Sequence, residues 1–199
     1  MYSKKTNIVV AFHGCDLSVR DKIVNQKEVL KPSTNSYDWL GHGCYFWENN
    51  ETRALQFAKE TAERTGSIKE PAVLGAYIDL GFCLDLLDSA YLRELIPAYL
   101  YLKNSNDSKN IQMPSNEFIN KELLLRDLDC AVIQTLHTLR EDDKQQSYDT
   151  VRGVFWEGED LYPNAGMKEK NHIQICVRNI NAIKAFFIPR ELKKNPIFV

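Results

Sequence analysis

Apolar runs of strand type stand towards the two ends of this chain, with segments of helical spacing between them, and this order restricts its fold more than any other feature. The run at 8–12 is short and continuous, as in a buried strand. Further strands are predicted at 72–80, 151–156, 173–177 and 182–188. Residues 89–103 and 117–139 carry apolar side chains at helical spacing and predict two amphipathic helices. The pattern predicts an α+β fold.

The bulk composition is typical of an ordinary globular chain that can bury a sizeable core. Of its 199 residues, 44% are hydrophobic and 26% are charged, and the formal net charge is −2. This charge excludes a global basic field of the kind that non-specific nucleic-acid binders use. We expect a single domain over 1–199 with a helical insertion over about 88–140.

The sequence contains no recognisable targeting or membrane-spanning segment. No stretch approaches the roughly 18 apolar residues needed to cross a bilayer, and the N-terminus lacks the apolar core of a signal peptide. The five cysteines are odd in number and scattered, which indicates a reducing compartment and not a disulfide framework. We therefore expect a cytoplasmic protein.

Two glycine-containing motifs beside predicted strands supply the first candidates for chemistry. His13, Gly14 and Cys15 follow the apolar run of the first strand. Residues 43–47, Gly-Cys-Tyr-Phe-Trp, form a second strand that is followed at once by a predicted helix at 51–65. Glycine at the edge of a strand indicates a bulge or a close approach of the backbone to a ligand.

A histidine that closes one strand, followed by a Gly-x-Tyr-Phe strand and a helix, resembles the NAD pocket of ADP-ribosyltransferases. The branch is the one shared by poly-ADP-ribose polymerases and diphtheria toxin, whose motif is His, Tyr and then Glu, Asp or Gln. The resemblance covers residues 8–65 and 151–188. It implies split antiparallel β-sheets around an NAD cleft, with peripheral helices, and NAD as a consumed substrate.

The resemblance also implies a role for each residue of the two motifs. His13 would hydrogen-bond a ribose hydroxyl of NAD, and Gly14 would let the backbone approach the nicotinamide carboxamide. Tyr45 would stack on the nicotinamide ring. Three neighbouring residues are expected to contact the dinucleotide as well: Cys15, Gly43 and Phe46.

The third catalytic residue is expected on a late strand, where the resemblance requires an acidic residue or Gln. Side chains alternate along a strand, so His172 and Gln174 lie on one face. Gln174 is the candidate that would hold the ribose hydroxyl, and His172 is the alternative and a further NAD contact. Three nearby glutamates are also candidates for the negative charge that steadies an oxocarbenium-like transition state: Glu157, Glu159 and Glu169.

These features together predict an NAD-dependent mono-ADP-ribosyltransferase that cleaves the nicotinamide–ribose bond and transfers ADP-ribose to a protein or nucleic acid. A neutral Gln174 argues against polymer synthesis, because it lacks the charge that would polarise a growing chain. The short chain fits a small bacterial or phage-type toxin or defence effector, restrained by a cognate antitoxin or chaperone. Four cations would meet the phosphates of a nucleic-acid acceptor: Lys168, Lys170, Arg178 and Lys184.

Three alternatives use the same residues differently. A catalytically inactive module of this fold would bind a nucleotide or a partner protein, and an NAD glycohydrolase would use water as the acceptor. A zinc protein would use the repeated His-x-Cys pattern of His13 with Cys15 and His42 with Cys44. Paired zinc ligands are usually separated by two to four residues, so a one-residue gap disfavours this site and no metal is expected.

Overall fold

The computed structural model describes residues 8–119 and 122–190. The strands in these residues are β1 (Ile8–Asp16), β2 (Cys44–Glu48), β3 (Pro71–Asp79), β4 (Cys83–Asp85), β5 (Asn116–Ile119), β6 (Glu122–Arg126), β7 (Thr150–Phe155), β8 (His172–Val177) and β9 (Ile183–Phe187). The α-helices are α1 (Leu17–Val24), α2 (Glu51–Thr65), α3 (Ser89–Ser108) and α4 (Asp127–Asp142). The predicted α+β class is confirmed.

Seven of the strands form one sheet in the order β4-β7-β8-β2-β1-β3-β9. Neighbouring strands are antiparallel except β4 and β7, which are parallel. The resemblance implies split antiparallel β-sheets; here β1 and β2 join the strands into one sheet, which contains one parallel pair. That junction is short, since Ala11 pairs with Glu48 and Phe12 with Trp47, whereas β1 stays paired with β3 as far as Asp16.

Helix α2 lies across the sheet at the point where β1 leaves β2. It begins where the side chain of Asn50 accepts a hydrogen bond from the backbone N–H of Arg53, and it ends at Gly66, whose φ of 66° suits glycine. The helix approaches β1 so closely that a β-carbon at position 14 would overlap the carbonyl oxygen of Ala54. Gly14 is therefore required by the packing of this helix.

Two large apolar clusters hold the sheet and its helices together. One cluster joins α1 to the sheet and has Phe46, Leu74 and Ile175 at its centre, all fully buried. The other lies under α3 and α4 and is built around Tyr148 and Val151. Burial of the apolar side chains in these clusters is the main stabilising contribution to the fold.

The prediction of one helix over 117–139 is wrong in its first part. Residues there form the β5–β6 hairpin, and α4 begins only at Asp127. The side chain of Asn116 accepts the backbone N–H groups of Leu128 and Asp129, two donors at the start of α4 that have no partner within the helix. The predicted helical insertion over about 88–140 thus contains a hairpin between two helices.

None of the helices in residues 8–119 and 122–190 combines the length and the apolar character needed to cross a membrane. All five cysteines lie in these residues and are free thiols. Four of the five are buried: Cys15, Cys44, Cys130 and Cys176.

Candidate functional site

A cleft of about 530 Å³ lies where β1 and β2 separate. It is lined by His13, the first residue of β1 beyond the last pair that β1 forms with β2. Its other walls come from β2, β8, α2, the β5–β6 hairpin and the loop at 31–39. Ligand sites in proteins typically measure about 300–1,000 Å³, so this cleft has an appropriate size. The structure brings His13, Tyr45 and Gln174 together along its surface, although they are far apart in the sequence.

His13 is half-buried and held in one orientation by the neighbouring strand. Its Nδ1 lies 2.8 Å from the carbonyl oxygen of Tyr45. Because a carbonyl only accepts, Nδ1 carries the proton of the neutral ring and Nε2 is left as an acceptor. Burial lowers the pKa of His13, which favours this neutral form. The ring can therefore accept a hydrogen bond from a hydroxyl group in the cleft.

Tyr45 is fixed by the chain segment that precedes β2. Its hydroxyl donates to the carbonyl oxygen of Gly41 at 2.6 Å and accepts from the N–H of Leu40 at 2.8 Å. Burial raises the pKa of this hydroxyl, so it stays protonated and serves as a structural donor. With the hydroxyl occupied, it is the aromatic ring of Tyr45 that remains available to a ligand in the cleft.

Gln174 lies in the centre of the sheet, opposite Trp47 on β2 and Gly153 on β7. The residue is only 8% exposed, and its side chain lines the cleft. No residue in 8–119 or 122–190 hydrogen-bonds this side-chain amide. A largely buried amide without a protein partner is suited to a ligand that satisfies both its donor and its acceptor.

The other predicted contacts divide between the cleft and the core. Gly43 lines the cleft, and a β-carbon there would lie 2.6 Å from Cys176 Sγ. Cys15 and Phe46 lie in the apolar cluster beneath the sheet and not in the cleft. Because side chains alternate along a strand, the consecutive residues Tyr45 and Phe46 face opposite sides of β2. Gly14 contacts α2, as described above.

His172 is enclosed by aromatic rings. Its side chain is 0% exposed, and the rings of Trp39, Trp47 and Phe155 surround it. Nδ1 lies 2.6 Å from the carbonyl oxygen of Lys170, whereas Nε2 has no partner among the described residues. Burial lowers the pKa of His172. His172 packs against Trp47, which lines the cleft, but does not line the cleft itself.

A network of charged side chains in the cleft was not identified from the sequence. Arg53 on α2 is 5% exposed and donates to Glu157 at 2.7 Å and to Glu60 at 3.4 Å. Lys170 contacts the same Glu60 at 2.9 Å. One feature of the sequence could have indicated this network: Arg53, Phe57 and Glu60 are spaced at i, i+4 and i+7, which places all three on one face of α2.

The four cations expected to meet phosphates do not form a free positive surface. Lys168 contacts Asp160 at 2.6 Å, and Lys170 is paired as described. Arg178 and Lys184 contact Glu141 and Asp79, respectively. Arg178 follows the end of β8 that is remote from Lys170, so these side chains are also spread along the sheet. Each cation is thus already partnered within the chain.

The zinc alternative has no geometric support in the described residues. None of their His, Cys, Asp and Glu side chains form a group of three or more that could hold a metal ion. His42 Nδ1 lies 3.0 Å from the amide nitrogen of Gln134. Cys15 and Cys44 belong to the apolar cluster beneath the sheet. Burial raises the pKa of both thiols to about 11, which disfavours the thiolate that zinc requires.

The chain is similar in sequence to a curated protein. The chain is 26% identical over 192 residues to the uncharacterized protein MJ0359 of Methanocaldococcus jannaschii, a match that spans 87% of this chain and 83% of that protein. No family model matches the chain. No solved structure matches it either.

Removing the hydroxyl of Tyr45 separates its structural role from that of its ring. Tyr45→Phe is expected to lower the free energy of unfolding by about 1–2 kcal/mol, since the N–H of Leu40 and the carbonyl of Gly41 lose a partner. The ring remains, so the NAD turnover that the resemblance implies is expected to stay close to that of the wild type. Urea denaturation and an assay of NAD consumption would check both. A loss of turnover as large as that of Tyr45→Ala, which removes the ring as well as the hydroxyl, would contradict the assignment of the ring.

A buried histidine outside the cleft predicts acid sensitivity. Both ring nitrogens of His137 lack a partner among the described residues, and burial together with nearby Arg178 and Arg140 lowers its pKa to about 3. Between this value and the ordinary 6.5 the unfolded chain binds more protons, so His137 makes stability fall as the pH falls. The slope is about 1.4 kcal/mol per pH unit well inside that window. Urea denaturation at pH 7, 6 and 5 should show a shallower dependence for His137→Leu, and an unchanged slope would contradict this prediction.

Proposed function

We propose that this protein is a mono-ADP-ribosyltransferase that consumes NAD and transfers ADP-ribose to a macromolecular acceptor. The observation that carries the proposal is the convergence of His13, Tyr45 and Gln174 on one cleft at the opening of the sheet. The sequence order and strand positions of these residues resemble the His-Tyr-Gln form of the ADP-ribosyltransferase motif. An ADP-ribosyltransferase fold is part of the same proposal.

Each of the three side chains has a chemical feature suited to NAD. The neutral ring of His13 offers Nε2 as an acceptor for a ribose hydroxyl. The ring of Tyr45, already fixed through its hydroxyl, offers an aromatic face to nicotinamide at little entropic cost. The amide of Gln174 offers both a donor and an acceptor to the ribose adjoining nicotinamide.

The reaction follows from holding the ribose and the nicotinamide in place. The bond between the anomeric carbon and the nicotinamide nitrogen breaks, and its electron pair neutralises the positive pyridinium ring. A lone pair of the acceptor then forms the new bond to the anomeric carbon, and the acceptor loses a proton to water. Fixing both groups in a partly closed cleft lowers the entropic part of the barrier. The neutral amide of Gln174 favours a single transfer over polymer growth.

The surface beside the cleft favours a protein acceptor over a nucleic acid. The loop between β7 and β8 exposes more than half of several large apolar side chains: Trp156, Leu161, Tyr162 and Met167. Its lysines are paired with carboxylates, so phosphates would find no free cation there. Exposed apolar surface of this kind is typical of sites of protein association. We propose a cytoplasmic toxin or defence effector, held in check by an antitoxin or chaperone.

The first experiment is incubation of the purified protein with NAD labelled in its adenylate part and with a cell extract. Label retained on a macromolecule and released by protease, but not by RNase or DNase, is the expected result. Release by a nuclease would instead identify a nucleic-acid acceptor. Nicotinamide release without a labelled macromolecule would favour an NAD glycohydrolase. NAD binding without any consumption would favour an inactive module, and neither binding nor consumption would reject the cleft as an NAD site.

A further inference from the structure

One carboxylate in the cleft differs from the others in how it is held. Glu157 follows β7, and its carbonyl oxygen accepts the N–H of Lys170 at 2.9 Å, which fixes its backbone beside the start of β8. Its Oε1 accepts from Arg53 Nη2 at 2.7 Å. The side chain is 12% exposed and lines the same cleft as His13, Tyr45 and Gln174. The carboxylate is thus both largely desolvated and fixed in position.

The second carboxylate oxygen of Glu157 is available to a ligand. Oε2 accepts no hydrogen bond from a residue in 8–119 or 122–190. It lies 3.8 Å from Nδ1 of His172, but that nitrogen already hydrogen-bonds the carbonyl oxygen of Lys170. The ion pair with Arg53 therefore orients the group through one oxygen and leaves the other unbonded.

The remaining carboxylates that line the cleft within the described residues are less suited to chemistry. Both oxygens of Asp38 accept hydrogen bonds from its own loop, from Ser33 and Asn35. Glu122 accepts the backbone N–H of Gly158. The side chain of Glu60 is 39% exposed and lies between two cations. Two other candidates near β8 are exposed and do not line the cleft: Glu159 and Glu169.

We propose that Glu157 is a catalytic residue and that its carboxylate stabilises the positive charge that develops on the ribose as nicotinamide leaves. This inference rests on the proposed function. A fixed carboxylate in a largely desolvated site stabilises such charge more strongly than the amide of Gln174 can. Glu157 forms no covalent bond and takes no proton from the acceptor. The electron pair of the broken bond stays on nicotinamide, and the acceptor proton goes to water.

The test is the isosteric substitution Glu157→Gln, with nicotinamide release measured over a range of NAD concentrations. We expect kcat to fall about 100-fold, because one electrostatic contact to the transition state is lost. KM for NAD should change by less than about threefold, because the charge acts on the transition state and little on the bound substrate. Glu159→Gln and Glu169→Gln are matched controls with the same chemical change at exposed positions, and both should keep wild-type kinetics.

A second variant guards against a folding defect, because Glu157→Gln leaves Arg53 short of one carboxylate partner. Arg53→Gln combined with Glu157→Gln removes both charges and should show the same loss of kcat, with the cooperative thermal transition retained in both variants. If the wild-type protein consumes NAD and folded Glu157→Gln has the same kcat, the role of Glu157 is overturned and the proposed function is not. A wild-type protein that consumes no NAD would overturn the proposed function, and this role with it.

Discussion

His13→Ala is expected to lower the rate of NAD consumption about 1,000-fold, because it removes an acceptor and a positioning contact at once. The acceptor is Nε2, which faces no protein donor among the described residues. The positioning contact is the hydrogen bond from Nδ1 to the carbonyl oxygen of Tyr45, which ties β1 to β2 just beyond their last pair. Nicotinamide release by the purified variant measures the effect.

The matched control for this variant is His42→Ala. His42 is also a half-buried histidine with one ring hydrogen bond, to Gln134, but it does not line the main cleft. It is expected to keep its activity, and each variant should lose about 1 kcal/mol of unfolding free energy from its lost hydrogen bond. His13→Ala with more than about a tenth of wild-type turnover would contradict the proposed NAD site at His13. Equal loss in both variants, reversed by added zinc, would revive the metal alternative.

Gly14→Ala is expected to lower the free energy of unfolding by about 3 kcal/mol. The added β-carbon would overlap the backbone carbonyl of Ala54, and neither a strand backbone nor a helix backbone can yield as a flexible side chain does. Relief requires α2 to move away from β1. Because α2 carries Arg53 and the other cleft residues of its face, the same substitution should also lower NAD turnover.

Gly166→Ala provides the matched control for this substitution. A β-carbon at position 166 would have no heavy atom within 4 Å, so its stability should change by less than about 0.5 kcal/mol. Urea denaturation of both variants measures the difference. Equal stabilities of Gly14→Ala and the wild type would show that α2 does not require glycine at this position, and the packing of α2 on β1 would need revision.

Local signals in the sequence determined most of the secondary structure. Helix α2 has the bounds that its capping residues predict, with Asn50 before the first turn and Gly66 after the last. The apolar runs predict the strands that carry the site, and their alternation places Gln174 and His172 on one face of β8. Each of these features depends on neighbours within about one helical turn or one strand, so a linear pattern is sufficient to predict it.

Tertiary structure decided how these elements meet and which side chains share the cleft. The ion pair between Arg53 and Glu157 joins residues 104 positions apart, and Gln174 gains Trp47 as its neighbour only through the register of β2 and β8. The sequence alone did not separate Glu157 from Glu159 and Glu169, because burial distinguishes them and their local context does not. Such contacts arise when strands and helices distant in the sequence pack together to bury their apolar faces, and a local pattern carries no record of that pairing.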